Sequence, residues 1–80
     1  MHEVSLISEV IAIVSQAAAE RELESIHKVK LVVGEHTAAM PDSLQFAFEL
    51  LKDKPLADTA VLEIERGQGE EFFIEYMEGE

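Results

Sequence analysis

Lys28-Val29-Lys30-Leu31-Val32-Val33-Gly34 is the stretch that decides the fold of this chain. It is rich in β-branched residues, with Val29, Leu31 and Val33 on one face and Lys28 and Lys30 on the other. That alternation predicts a half-buried strand, ended by Gly34. Before it, Leu6, Ile7, Val10, Ile11, Val14, Ala17 and Ala18 recur at spacings of three and four, widened by Ala12 and Ile13, which predicts a helix over residues 3 to 24. After it, Met40-Pro41-Asp42-Ser43 is a helix entry, with proline at the first turn and an acid near the positive dipole end. Leu44, Ala47, Phe48 and Leu51 continue that helix, with Phe46 and Leu50 beside them, until Pro55 stops it. Ala60, Leu62 and Ile64 alternate with Val61, Glu63 and Glu65, and Phe72, Ile74 and Tyr76 alternate with Phe73, Glu75 and Met77. The Gly67-Gln68-Gly69 spacer between these two runs predicts a hairpin. The expected fold is α+β, in the order helix-strand-helix-strand-strand. Two helices cover one face of a small three-stranded mixed sheet, and its last two strands form the hairpin.

Eighty residues make one domain, residues 1–80, near the small end of what a single core stabilises. A hydrophobic fraction of 48% is ample for that core. Six basic against seventeen acidic residues leave a net charge of −11, which argues against nucleic acid, whose phosphates would be repelled. There is no cysteine, so disulfides, thiolate metal sites and cysteine nucleophiles are all excluded. The apolar run from Val4 is broken by Ser5, Ser8, Glu9, Ser15 and Gln16, so no membrane span is expected; it lacks a basic leader and a cleavage-site pattern, so no signal peptide is expected either. The chain reads as cytoplasmic, a monomer or a homodimer.

Met1-His2-Glu3 carries the chemistry. A histidine at position two offers a metal the terminal amine, its own backbone nitrogen and its ring nitrogen in adjoining chelate rings. The backbone nitrogen of Glu3 completes a four-nitrogen plane, with the Glu3 carboxylate beside it. Tetragonal nitrogen coordination suits Ni(II) or Cu(II), and the usual divalent order favours copper. The amine must be free, and the imidazole neutral, so binding should weaken in acid. Without further context, an exposed, frayed terminus is the commoner reading of such a tripeptide.

Met1-His2-Glu3-Val4-Ser5-Leu6, Val29-Lys30-Leu31-Val32-Val33-Gly34-Glu35, Pro41-Asp42-Ser43-Leu44-Gln45-Phe46-Ala47-Phe48-Glu49 and Ala60-Val61-Leu62-Glu63-Ile64-Glu65 together resemble the HypA family. HypA proteins are nickel metallochaperones for [NiFe]-hydrogenase and, in some organisms, urease. The resemblance implies nickel held by Met1 (through its amine), His2 and Glu3. It also implies two partners, a nickel-supplying GTPase and the hydrogenase large subunit. The family carries a zinc domain on two Cys-x-x-Cys pairs, inserted after the strand matching Leu62–Glu65. Here a short turn near residues 66–70 stands in its place, so zinc is not expected. Glu71 to Tyr76 then resembles the family's returning strand, as if the zinc module had been excised, naturally or deliberately.

His36, after Gly34-Glu35, is a further candidate ligand, or with Glu35 part of a partner-binding patch; an exposed loop histidine explains it as well. His27 reads as a surface residue, and Met40 and Met77 as packing. The acids from Glu70 to Glu80 read as a solvated edge of the hairpin. No serine sits in a catalytic motif, and no phosphate-binding loop or His-Glu-x-x-His pattern occurs, so an enzyme is not expected. The expected function is a nickel metallochaperone domain. The alternative is a metal-independent interaction or regulatory module that inherited the fold.

Overall fold

The computed structural model describes residues 2–80. Helix α1 spans Glu3–Glu20, strand β1 Ile26–Gly34, helix α2 Pro41–Leu51, strand β2 Leu56–Gly67 and strand β3 Phe72–Gly79. The order of elements and the three-stranded mixed sheet are as expected, but the hairpin is not. The strand order is β2-β1-β3, with β1 parallel to β2 and antiparallel to β3. β2 and β3 therefore never pair with each other. The physical reason lies in β1, where Leu31, Val32 and Val33 are all buried, so that strand takes the centre. The half-exposed, alternating β2 and β3 take the edges.

The segment between them is consequently not a tight turn. Arg66 and Gly67 belong to β2, and residues 68–71 cross over the end of β1, about two interstrand spacings of 4.8 Å each. β1 is sealed beneath this strap by backbone bonds. Gly34 N–H donates to Glu71 O at 2.6 Å, Glu35 N–H to Gly67 O at 3.0 Å and His36 N–H to Gly69 O at 2.8 Å. Gly34 is obligatory here, because a Cβ on it would lie 2.3 Å from Gly69 O and 2.6 Å from Glu71 N.

The core joins Ile7, Val10, Val14 and Ala18 of α1 to Leu44, Ala47 and Phe48 of α2, over Val29, Leu31, Val33, Ala60 and Leu62 of the sheet. The stripe on α1 is narrower than its composition suggests, since Ile13 is 59% exposed. A register shift between Lys30 and Leu31 pairs them with Tyr76 and Ile74, so Glu75 is an extra residue in β3. The bulge reverses the alternation beyond it. Met77, not Tyr76, joins Phe72 and Ile74 against the core, and Tyr76 turns to the open face.

On that open face Lys30 Nζ lies 2.9 Å from Glu65 and 3.1 Å from Glu75, while Lys28 Nζ lies 3.0 Å from Glu63. The carboxylates of Glu65 and Glu75 hold the Lys30 ammonium well above the usual lysine range. The Tyr76 ring stands 5.7 Å from both ammonium groups.

α1 ends earlier than its apolar spacing predicts. Leu23 N–H reaches back to Ala18 O at 2.9 Å and Glu22 N–H to Ala19 O at 3.2 Å, the paired bonds of a Schellman cap. Glu22 sits at its left-handed position, φ 58°, where glycine is the usual occupant.

Candidate metal centre

His2 is the residue that caps α1, in extended conformation (φ −75°, ψ 148°), and its carbonyl accepts the first helical bond from Leu6 N–H at 3.1 Å. Its imidazole is exposed and caps nothing. Glu3 is the first helical residue, so its N–H has no acceptor four residues back. A metal that replaces the proton on this amide therefore breaks no helical bond. The negative charge left behind is favoured at the positive end of the helix dipole.

The Glu3 carboxylate folds back over this amide and also accepts from Met40 N–H at 3.2 Å. These two backbone donors, its own first and that of Met40 second, hold the Glu3 carboxyl below the usual glutamate range. Met40 precedes α2, so Glu3 ties together the N-terminal ends of the two helices. Between those ends runs an open groove, with His2, Glu3, Val4 and Ser5 on one wall and Asp42, Ser43, Phe46 and Ala47 on the other.

The structure brings His2 and Glu3 together at this groove. The expected contribution of the Met1 amine lies outside the described residues. Glu35 and His36 sit elsewhere, at the strap over β1, with His36 Nε2 3.6 Å from Glu35 and both side chains largely exposed. His27 faces Glu80 at 3.3 Å on the surface. Among the described residues, no three His, Asp or Glu side chains converge on one point.

Sequence reasoning missed the second wall. Phe46 on that wall is 70% exposed, and Met40, which its sequence context reads as packing, is 61% exposed. Phe46 lies off the Leu44-Ala47-Phe48-Leu51 stripe, which was the available signal. The bond from Met40 to Glu3 links residues 37 apart and leaves no local trace. Among the described residues, no helix is long and apolar enough to cross a membrane.

Comparison with known proteins agrees with the fold. The family model described as HypA, hydrogenase/urease nickel incorporation, metallochaperone, matches residues 1–78. The chain is 38% identical over 65 residues to a hydrogenase maturation factor HypA of Moorella thermoacetica, covering 81% of this chain and 58% of that protein. It is 40% identical over 70 residues to the one from Rhizobium leguminosarum bv. viciae, covering 88% and 62%. The chain thus spans less than two thirds of the length of either relative. The solution structure of the Ni metallochaperone HypA from Helicobacter pylori superposes with a TM-score of 0.76 at 24% identity, covering 95% of this chain and 72% of that one. By the family model and by these relatives, the chain belongs to the HypA family.

Proposed function

We propose that this chain binds Ni(II) at its N-terminal end and serves nickel insertion into a [NiFe]-hydrogenase or a urease as a non-enzymatic metallochaperone domain. The observation that carries this reading is the first-turn amide of Glu3, which takes part in no helical bond, beside the exposed His2 imidazole. With the Met1 amine and the His2 amide, these groups form the nitrogen set that square-planar Ni(II) takes. Nickel is the cargo. A GTPase would supply it and a hydrogenase large subunit receive it, as in the wider family. Glu35 and His36, on the strap over β1, are a secondary candidate for partner contact.

The domain stands as a nickel-binding unit in which residues 68–71 occupy the place of the zinc module. With no cysteine in the chain, a thiolate zinc site cannot form within it. The competing reading, a metal-independent interaction module, draws on the exposed Met40, Phe46 and Leu50 near α2.

A Ni(II) titration of the chain with a free Met1 amine, beside His2→Ala, separates the two. At neutral pH one equivalent should bind to the parent and none to the variant, and binding should weaken at about pH 5.5, where protons compete for the imidazole. Equal binding by both chains, or none by either, leaves the fold without the family's metal chemistry.

A further inference from the structure

The two edges of the sheet are finished differently. On the outer side of β2, side chains of α2 and of Lys52, the residue that follows it, occupy the backbone. Gln45 Nε2 donates to Leu62 O at 2.6 Å and Lys52 Nζ to Ala60 O at 3.1 Å. These carbonyls are two residues apart and so point the same way along the strand. The outer side of β3 has no such cover. Among the described residues no strand pairs with it, and no side chain bonds to the backbone of Phe72–Gly79. An uncovered row of N–H and C=O groups is a template for another strand.

Beside that edge lies an apolar groove of about 350 Å³ between α1 and β3, lined by Leu6, Val10, Ile13, Phe72 and Ile74 with Glu9 at its rim. Ile13 is 59% exposed and Phe73 45% exposed, unusual for apolar residues flanking one strand. On the open face β3 itself contributes the acids Glu75 and Glu78, next to Lys30 and Lys28 of β1. Glu75 is already paired with Lys30, whereas Glu78 has no cationic partner among the described residues. No basic residue occurs in β3.

The geometry points to β3 as a docking edge for an extended basic peptide of a partner protein, one that alternates lysine or arginine with aliphatic residues. Added as a fourth strand, such a peptide places its aliphatic side chains in the α1–β3 groove and its cations beside Glu75 and Glu78. Backbone pairing supplies affinity and the alternation supplies selectivity. A second copy of this chain is a poor occupant. Two β3 strands side by side would bring Glu75 and Glu78 of each against like charges. This surface does not depend on the nickel site.

The test uses the acetylated, amidated heptapeptide Lys-Val-Lys-Ile-Lys-Val-Lys and its all-glutamate counterpart. Two further versions carry N-methyl groups on alternate amides along one backbone edge or the other. Binding is read by fluorescence anisotropy, by amide chemical shifts and by hydrogen exchange of the full chain. The lysine peptide should bind and the glutamate peptide should not. Shifts should fall on Phe72–Gly79 and Leu6–Ile13, with exchange slowed along β3. N-methylation of one edge, but not of the other, should weaken binding at least about tenfold, the effect of losing two or three backbone bonds. Ile13→Lys, at a position already exposed, should also weaken binding while its circular dichroism stays unchanged. Equal binding by both N-methylated peptides would reveal mere charge attraction to an acidic protein and overturn the proposal. Shifts centred on β2 or α2, absence of binding, or self-association through β3 in place of peptide binding would overturn it equally.

Discussion

The Glu3 carboxylate accepts the Met40 backbone N–H at 3.2 Å, fastening the start of the first helix to the residue that precedes the second. The same carboxylate lies over its own amide, one of the nitrogens proposed to bind nickel. The tie to Met40 and the proposed cargo site therefore share one residue. Glu3→Ala should lower stability, through a lost charge-assisted bond and a lost helix-dipole contact. The expected result is a lower Tm in thermal unfolding under circular dichroism. The Met40 amide should also exchange faster in the variant.

Carboxyl titrations followed by NMR should place Glu3 and Glu63 below the ordinary glutamate range. Lys28 is the main cause for Glu63, through a direct hydrogen bond. The sign follows from linkage. A carboxyl depressed in the folded state adds stability above its unfolded pKa, and that stability is lost as pH falls through the folded value. Acid below the ordinary glutamate range of about 4.3 should therefore erode stability. Lys28→Met should move the Glu63 midpoint back upward and flatten this part of the pH profile.

Glu22 occupies a left-handed cap position at φ 58°. Glu22→Gly should raise stability by about 1 kcal/mol, because glycine adopts that conformation without a Cβ clash. A Tm higher by about 4–8 °C in thermal melts is the expected result. An unchanged or lower Tm would show that the side chain contributes more than its backbone strain costs.

Gly34→Ala should do the reverse. Its Cβ would meet backbone atoms of Gly69 and Glu71 rather than a side chain able to swing away. The strap must lift or the end of β1 must shift, at a cost of about 3 kcal/mol. Urea unfolding should show the loss, with the largest amide shift changes at Glu35, His36 and Gly69.

Copper should displace nickel from the N-terminal site. The nitrogen set imposes no barrier against Cu(II), and the divalent series ranks copper above nickel. Competition followed by visible spectra should show the nickel band replaced as Cu(II) is added. Acetylation of the Met1 amine should abolish both bands, since it removes a ligand without touching the fold.

What the sequence disclosed was periodic or local. The alternation of Val29, Leu31 and Val33, the stripe of Ile7, Val10 and Val14, and the Pro41-Asp42 helix start each depend on neighbours a few residues away. All three stand in the structure. What stayed hidden was relational. Gly67-Gln68-Gly69 suits a hairpin locally, yet the burial of Val32 and Val33 demands that β1 lie between its neighbours. The extra residue at Glu75 exchanged the roles of Tyr76 and Met77, which no alternation rule anticipates. At the proposed site, the candidacy of His2 rests on its position in the chain. That the Glu3 amide lies outside the helical bonds required knowing where the helix begins, and the Met40 bond required knowing what lies beside it.

The strap over Gly34 has a consequence for how such a sheet can change. β2 runs parallel to β1 and β3 antiparallel to it, so β2 ends and β3 begins at the same rim of the sheet. Neither edge strand draws any pairing from the segment that joins them. Its length is thus almost invisible to the register of the sheet, and the closure entropy of a longer connection grows only with the logarithm of its length. The four residues 68–71 act as a minimal thread across one strand. An entire module could hang at that rim, or be taken away, while every ladder partner of β1 stayed the same.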